Sequence, residues 1–168
     1  MADLAELEAK MKHLEDIEAI KRLKYKYFRC LDSKLWDELA ECFAEDATTS
    51  YSSGKYSFQG REAIMQFLRE GLGPTMISMH HGHHPEIEIT SDTTARGIWA
   101  LEDYVIITQA NMGLGGAAFY QDEYVKVNGE WKIKSTGYDR TFQEAWDRGE
   151  TPSLKLTHSM FISPEESG

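Results

Sequence analysis

Cysteine and proline are scarce in this chain, and long apolar runs are missing. Its 168 residues include 2 Cys and 4 Pro. Two thiols, Cys30 and Cys42, cannot build the disulfide framework of a small secreted domain, and they lack metal spacing. They read as free, packed thiols in a reducing cytoplasm. No stretch approaches the roughly 20 apolar residues of a membrane span. The amphipathic, acidic start lacks the basic opening and apolar block of a secretory signal. Positive charge is also short: 18 Lys and Arg face 28 Asp and Glu, for a formal net charge of -10. That balance excludes a non-specific grip on nucleic acid or on an anionic membrane. What is present, 41% hydrophobic and 27% charged residues, suits one soluble domain with a sizeable core. One domain over 1–168 is expected, with its core at about 10–146 and a tail at 147–168.

Apolar residues recur at steps of three or four through Leu7, Met11, Leu14, Ile17, Ile20, Leu23, Tyr27 and Leu31. This spacing predicts one long helix with an apolar face. A second helix is expected from Lys34 to Ala44, capped by Asp32 or Ser33. A third should start after Gly60 and end at Gly71 to Pro74. Thr48 to Tyr56 reads as a short strand and turn. Glu86 to Ile89 alternates, and Arg96 to Thr108 reads as a long strand. Gly116 to Val127 and Trp131 to Phe142 flank Asn128-Gly129, a two-residue hairpin turn. That turn puts Glu123 opposite Lys134. Helices first and antiparallel strands later predict an α+β fold. The expected shape is a cone-like half-barrel, with three or so helices closing a curved sheet over an apolar pocket.

Five polar residues sit where an apolar or bland residue would be expected. Asp103 shares strand parity with Trp99, Leu101, Val105 and Ile107, so it points into the core if that face is buried. A carboxylate there needs a partner. Ser78 to Pro85 carries four of the six histidines, the residue suited to proton transfer near neutral pH. His81 and His83 are spaced like strand metal ligands, but no cysteine is close, and the pattern does not choose a working ring. Tyr27 lies on the apolar stripe, where the plain reading is a core tyrosine. Asp32 follows at the helix end, where an aspartate is commonly a cap. Strict alternation turns Arg140 outward with Lys132 and Lys134. A bulge, for which Gly137 is the natural place, would turn it inward.

Several segments carry a resemblance. The run from Asp16 to Lys21, Lys26 to Asp32 and Trp36 to Leu39 closely resembles the start of the bile acid 7α-dehydratases. So do Thr49 to Ser52, Ile77 to His80, Pro85 to Ile87, Leu101 to Asp103, Gly116 to Tyr120 and Thr136 to Tyr138. More distantly the chain resembles SnoaL-like proteins, with scytalone dehydratase and ketosteroid isomerase. The resemblance implies that fold and a catalytic set of Tyr27, Asp32, His80, Asp103 and Arg140. It implies no metal, no cofactor and a homotrimer, and it selects His80 among the histidines. His81, His84, the Gln109 to Gly115 loop and the tail after Ala145 depart from the pattern, which leaves the steroid side chain open.

The implied reaction removes water from a 7α-hydroxy-3-oxo-4-ene steroid. In this reading His80 is the base, Asp103 holds its tautomer, and Tyr27, positioned with Asp32, donates a hydrogen bond. Arg140 balances the carboxylates. The apolar wall is assigned to Phe28, Tyr51, Met79, Trp99, Leu101, Phe119 and Tyr120. Two other readings remain: a dehydratase or isomerase of another cyclic enone, and a non-catalytic ligand-binding module on the same fold.

Overall fold

A computed structural model describes residues 3–162. Positions 163–168 of the expected tail, like residues 1 and 2, lie outside the described residues. Helix α1 spans Leu4–Asp32, with acidic Glu6 in its first turn and basic Arg29 in its last, complementing the helix dipole. The helix packs on the body from Asp16 onward. Ile20, Lys24, Tyr27, Phe28, Cys30 and Leu31 are buried, whereas Leu4, Leu7, Met11 and Leu14 are exposed. The apolar stripe therefore runs beyond the surface this chain covers with its own described residues. Lys34, at φ 59°, then reverses the chain.

Helix α2 is one short element, Trp36–Ala40, rather than the longer helix expected. The chain leaves helical geometry early because Cys42 gives its carbonyl to the N–H of Ile133 and Phe43 opens a strand. Neither Asp32 nor Ser33 caps α2, whose N-cap is Leu35. Strands β1 (Phe43–Tyr51) and β2 (Tyr56–Gln59) form a hairpin, followed by α3 (Arg61–Gly71). Then come β3 (Met76–Ile89), β4 (Thr94–Ile107), β5 (Met112–Val127) and β6 (Glu130–Asp147). The whole histidine segment lies inside β3. The result is an α+β fold: one curved, unclosed sheet of six strands in the order β2-β1-β6-β5-β4-β3, with helices against its concave face. The β1–β6 pair is parallel and the others antiparallel.

Asn128 and Gly129 form the hairpin turn, both at positive φ, with Val127 opposite Glu130. Beyond the turn the register departs from strict alternation. Tyr124 pairs with Ile133 but Glu123 pairs with Ser135, so Lys134 is an extra residue and does not face Glu123. Lys134 pairs instead with Asp46. A second extra residue, Thr141, sits between the Ala118–Arg140 and Ala117–Phe142 pairs. The bulge at Lys134 flips the parity, and Thr136, Tyr138 and Arg140 then share the inner face with Trp131 and Ile133. Gly137 is no bulge. A side chain there would collide with the Ser50 carbonyl, so glycine permits the close parallel approach of β1.

Candidate functional site

Asp32 is the last residue of α1, where the helix crosses β3. Its carboxylate does three jobs at once. Oδ1 lies 2.6 Å from His80 Nδ1 and accepts the Ser78 hydroxyl at 2.8 Å. Oδ2 accepts the His80 backbone N–H at 2.8 Å. The two side chains are each only 11% exposed. Residue 80 is thus held by ring and by backbone, and with Asp32 ionised its Nδ1 carries the proton, which leaves Nε2 as the acceptor. The Phe28 ring lies nearly parallel to His80, with centroids 6.4 Å apart and planes at 13°. Gly82 makes that possible, because a side chain there would strike Phe28.

Asp103 is indeed on the inner face, 6% exposed, and is the register partner of His80 across β3 and β4. It does not orient that ring. Its two oxygens accept Arg140 Nη1 at 2.7 Å and Nη2 at 2.6 Å, a fork-to-fork pair. Burial alone would lower the Arg140 pKa, but the bonds to Asp103 outweigh it and raise the value. Gly116, opposite Asp103, leaves room for the guanidinium: a Cβ would lie 3.1 Å from Nη1. The expected pairing is therefore corrected. Asp32 holds the histidine and Asp103 holds the arginine, because α1 ends against β3 while β6 brings residue 140 inward across β5.

Tyr27 is not paired with Asp32. Its hydroxyl is 3.3 Å from the Tyr51 hydroxyl, and both residues are buried. The Tyr120 ring packs edge-on to Tyr27 and to Tyr138. Desolvation pushes the phenols of Tyr27, Tyr51 and Tyr120 well above their ordinary value, so all three remain protonated donors. Two buried side-chain atoms, Thr49 Oγ1 and Arg140 Nε, have no hydrogen-bond partner among the described residues.

Of the expected wall residues, Phe28, Tyr51, Leu101 and Tyr120 are buried on the inner side. Trp99 is buried as well, with its indole donating to the Tyr124 hydroxyl at 2.9 Å. Met79 and Phe119 are corrected. They are 52% and 53% exposed on the outer sheet face, because each is one residue out of phase with its inward neighbours Ser78, His80, Ala118 and Tyr120. His81 and His83 stack on each other on that same outer side, ring centroids 5.8 Å apart. Among the described residues no group of three or more His, Cys, Asp or Glu is placed to hold a metal ion. Ser78 and Tyr138 also face this interior, although neither is among the expected site residues. Strand parity with His80 could have found Ser78, but Tyr138 turns inward only through the bulge at Lys134. A large open hollow of about 940 Å³ lies elsewhere, lined by Phe43, Asp46, Arg61, Arg96 and Lys134 among others. It contains none of the five residues, and its cations are already paired with Glu45, Asp46, Glu88 and Glu130.

Solved structures share this architecture. A protein from Novosphingobium aromaticivorans, provisionally named scytalone dehydratase, is 29% identical over 80% of this chain and 90% of its own, with a TM-score of 0.75. Hexachlorocyclohexane dehydrochlorinase LinA-type3 from Novosphingobium barchaimii is 20% identical over 82% of this chain and 94% of its own, with a TM-score of 0.74. An NTF2-like protein of cystatin-like fold, also from Novosphingobium aromaticivorans, is 19% identical over 84% and 92%, with a TM-score of 0.71. At that identity the last two share the fold. The family model described as the SnoaL-like domain matches residues 12–137, most of the chain, and the protein belongs to the SnoaL-like domain family.

Proposed function

We propose that the protein is a hydro-lyase that dehydrates a 7α-hydroxy-3-oxo-4-ene steroid by acid–base chemistry without a cofactor. The observation that carries this reading is the Asp32 carboxylate bound to both the ring and the backbone of His80. A histidine held with its proton on Nδ1 has Nε2 free as a base. In the reaction, Nε2 takes the proton at carbon 6. The C–H electrons form the 5,6 double bond, and the 4,5 double bond shifts to give a 3,4 double bond and an oxyanion at carbon 3. Collapse of this dienolate forms the 6,7 double bond and expels the hydroxyl at carbon 7. The imidazolium returns its proton, and water leaves. Asp32 balances the imidazolium charge. The neutral phenols of Tyr27 and Tyr51 serve as donors to the oxyanion, and the Arg140 Nε and Thr49 hydroxyl are spare donors in the same interior. Asp103 holds Arg140 in place.

The resemblance of the quoted segments supports the steroid. A relative named for scytalone dehydratase, at 29% identity, favours the runner-up, elimination on another cyclic enone. The protein would work as a homotrimer, for which the exposed Met79, Tyr104, Phe119 and Phe142 offer an apolar surface. Two buried free thiols support a cytoplasmic location; among the described residues no helix is long and apolar enough to cross a membrane. The test is an ultraviolet assay of the extended dienone product with purified protein and a 7α-hydroxy-3-oxo-4-ene bile acid. Turnover that vanishes in His80→Ala supports the reading. Binding without dienone formation shifts it to another reaction, and near-wild-type turnover in His80→Ala removes the base.

A further inference from the structure

Under the phenols lies an ion pair that the mechanism above does not use. Lys24 is on α1, three residues before Tyr27, and its ammonium donates to Asp122 Oδ2 at 2.7 Å. Both side chains are fully buried, 0% exposed. Asp122 Oδ2 also accepts the Tyr124 hydroxyl at 2.7 Å, and Oδ1 accepts the Thr136 hydroxyl at 2.6 Å. The carboxylate therefore has three donors from three elements. Among the described residues the ammonium has one hydrogen-bond acceptor, Asp122, and otherwise lies against aromatic faces. Its Nζ is 3.7 Å from the Tyr120 ring centroid, 4.8 Å from that of Tyr27 and 5.2 Å from that of Phe28.

A buried ion pair is a poor source of stability, since apolar residues of equal volume commonly do as well or better. Its use must be sought in what it touches. Those rings are two of the buried phenols, Tyr27 and Tyr120, and the phenylalanine stacked behind His80. A cation on the face of a phenol draws electron density from the ring and makes its hydroxyl a stronger donor. Asp122 opposes this effect at the same phenols. Its oxygens, however, are turned to Lys24, Tyr124 and Thr136, while the ammonium is in contact with the rings. Burial lowers the Lys24 pKa and Asp122 opposes the fall; the nearby Cys42 thiol is pushed by burial up to about 12 and so stays neutral.

We infer that Lys24 is a positioning residue that acts through Tyr27, its buried charge strengthening that hydroxyl as a donor to an oxyanion bound in the interior. The inference rests on the oxyanion chemistry proposed above, and it can be read without turnover. The experiment uses the neutral, near-isosteric pair Lys24→Met with Asp122→Asn in the full chain. With the 7α-hydroxy-3-oxo-4-ene steroid, kcat should fall about tenfold or more, while KM stays within about threefold, as for loss of a donor acting in the transition state. In parallel, 3-fluorotyrosine at position 27, a phenol that titrates below tyrosine, is followed by fluorine NMR. Its pKa should rise when the charge pair is removed. Lys24→Gln, which keeps a donor for Asp122, should shift it the same way and covers the case in which the double variant does not fold. An unchanged or lowered pKa overturns the inference whether or not the steroid is the substrate. So does a folded variant that loses thermal stability but keeps kcat. A raised pKa in a protein that turns over no steroid supports the electrostatic role and removes only the steroid reading.

Discussion

Asp32→Asn separates the two ways in which the carboxylates could serve the histidine. In the wild type Oδ1 receives the imidazole N–H and the Ser78 hydroxyl, and Oδ2 receives the backbone N–H of residue 80. An asparagine keeps only one acceptor oxygen. If that oxygen stays on the backbone N–H, the amide NH2 faces Nδ1, which must then give up its proton. The proton moves to Nε2, and the base is lost. If the amide turns the other way, its NH2 meets the backbone N–H, donor against donor. Either arrangement breaks or inverts at least one hydrogen bond and removes the charge from the other partners, a loss of about 1–3 kcal/mol. At about 2–4 °C per kcal/mol for a domain of this size, Tm should drop by roughly 2–12 °C. Turnover should fall by about 10²–10⁴-fold, with KM little changed, because tautomer and base are lost but the apolar wall is intact. Steady-state dienone formation and a thermal melt measure both. Asp103→Asn is the control. It leaves His80 untouched but breaks a buried ion pair, so its stability loss should be larger, about 3–5 kcal/mol, and its kcat loss smaller. The reasoning is refuted if Asp32→Asn keeps kcat within tenfold of wild type while Asp103→Asn abolishes it.

The phenols of Tyr27, Tyr51, Tyr120 and Tyr124 are all raised by burial, so the stability they contribute is whole below about pH 10 and is lost as pH climbs toward their folded values. Each should weigh about 1.4 kcal/mol per pH unit above that point, and phenolate absorbance should appear together with loss of near-ultraviolet circular dichroism. Phenolate of the native tyrosines appearing at the ordinary pH of about 10 in a folded protein would contradict their burial. Asp16 behaves in the opposite sense. Burial would raise its pKa, but bonds from Lys126, Trp131 and Lys12 lower it, so its contribution is present above about pH 4 and disappears as pH falls through the folded value. Asp16→Asn should therefore lower Tm at pH 7 and converge with wild type in acid. Gly137→Ala should cost about 1–3 kcal/mol through its collision with the Ser50 carbonyl, measured by urea unfolding. Wild-type stability in that variant would show that β1 and β6 are not as close as described.

The sequence by itself determined the larger elements. The three-four spacing of α1, the glycine and proline punctuation around α3, the Asn128-Gly129 turn and the parity of β4 are local signals. Each follows from helix or strand periodicity or from turn chemistry alone. Parity also turned Asp103 inward; the same parity for Asp122 on β5, with the three-four spacing of Lys24 from Ile20 and Tyr27 on α1, would have exposed their buried pair. Partnership was another matter. Which carboxylate meets His80 depends on where α1 ends against β3, and which meets Arg140 depends on an extra residue at Lys134 that no glycine marks. Met79 and Phe119 are expected in the wall as apolar side chains suited to a tetracyclic ring, although alternation from His80 and Tyr120 puts them outside. Periodicity says which face a residue occupies, because it is a property of the backbone. The partner across the interior is decided by bulges, helix ends and the packing of distant strands, and those exist only in the tertiary structure.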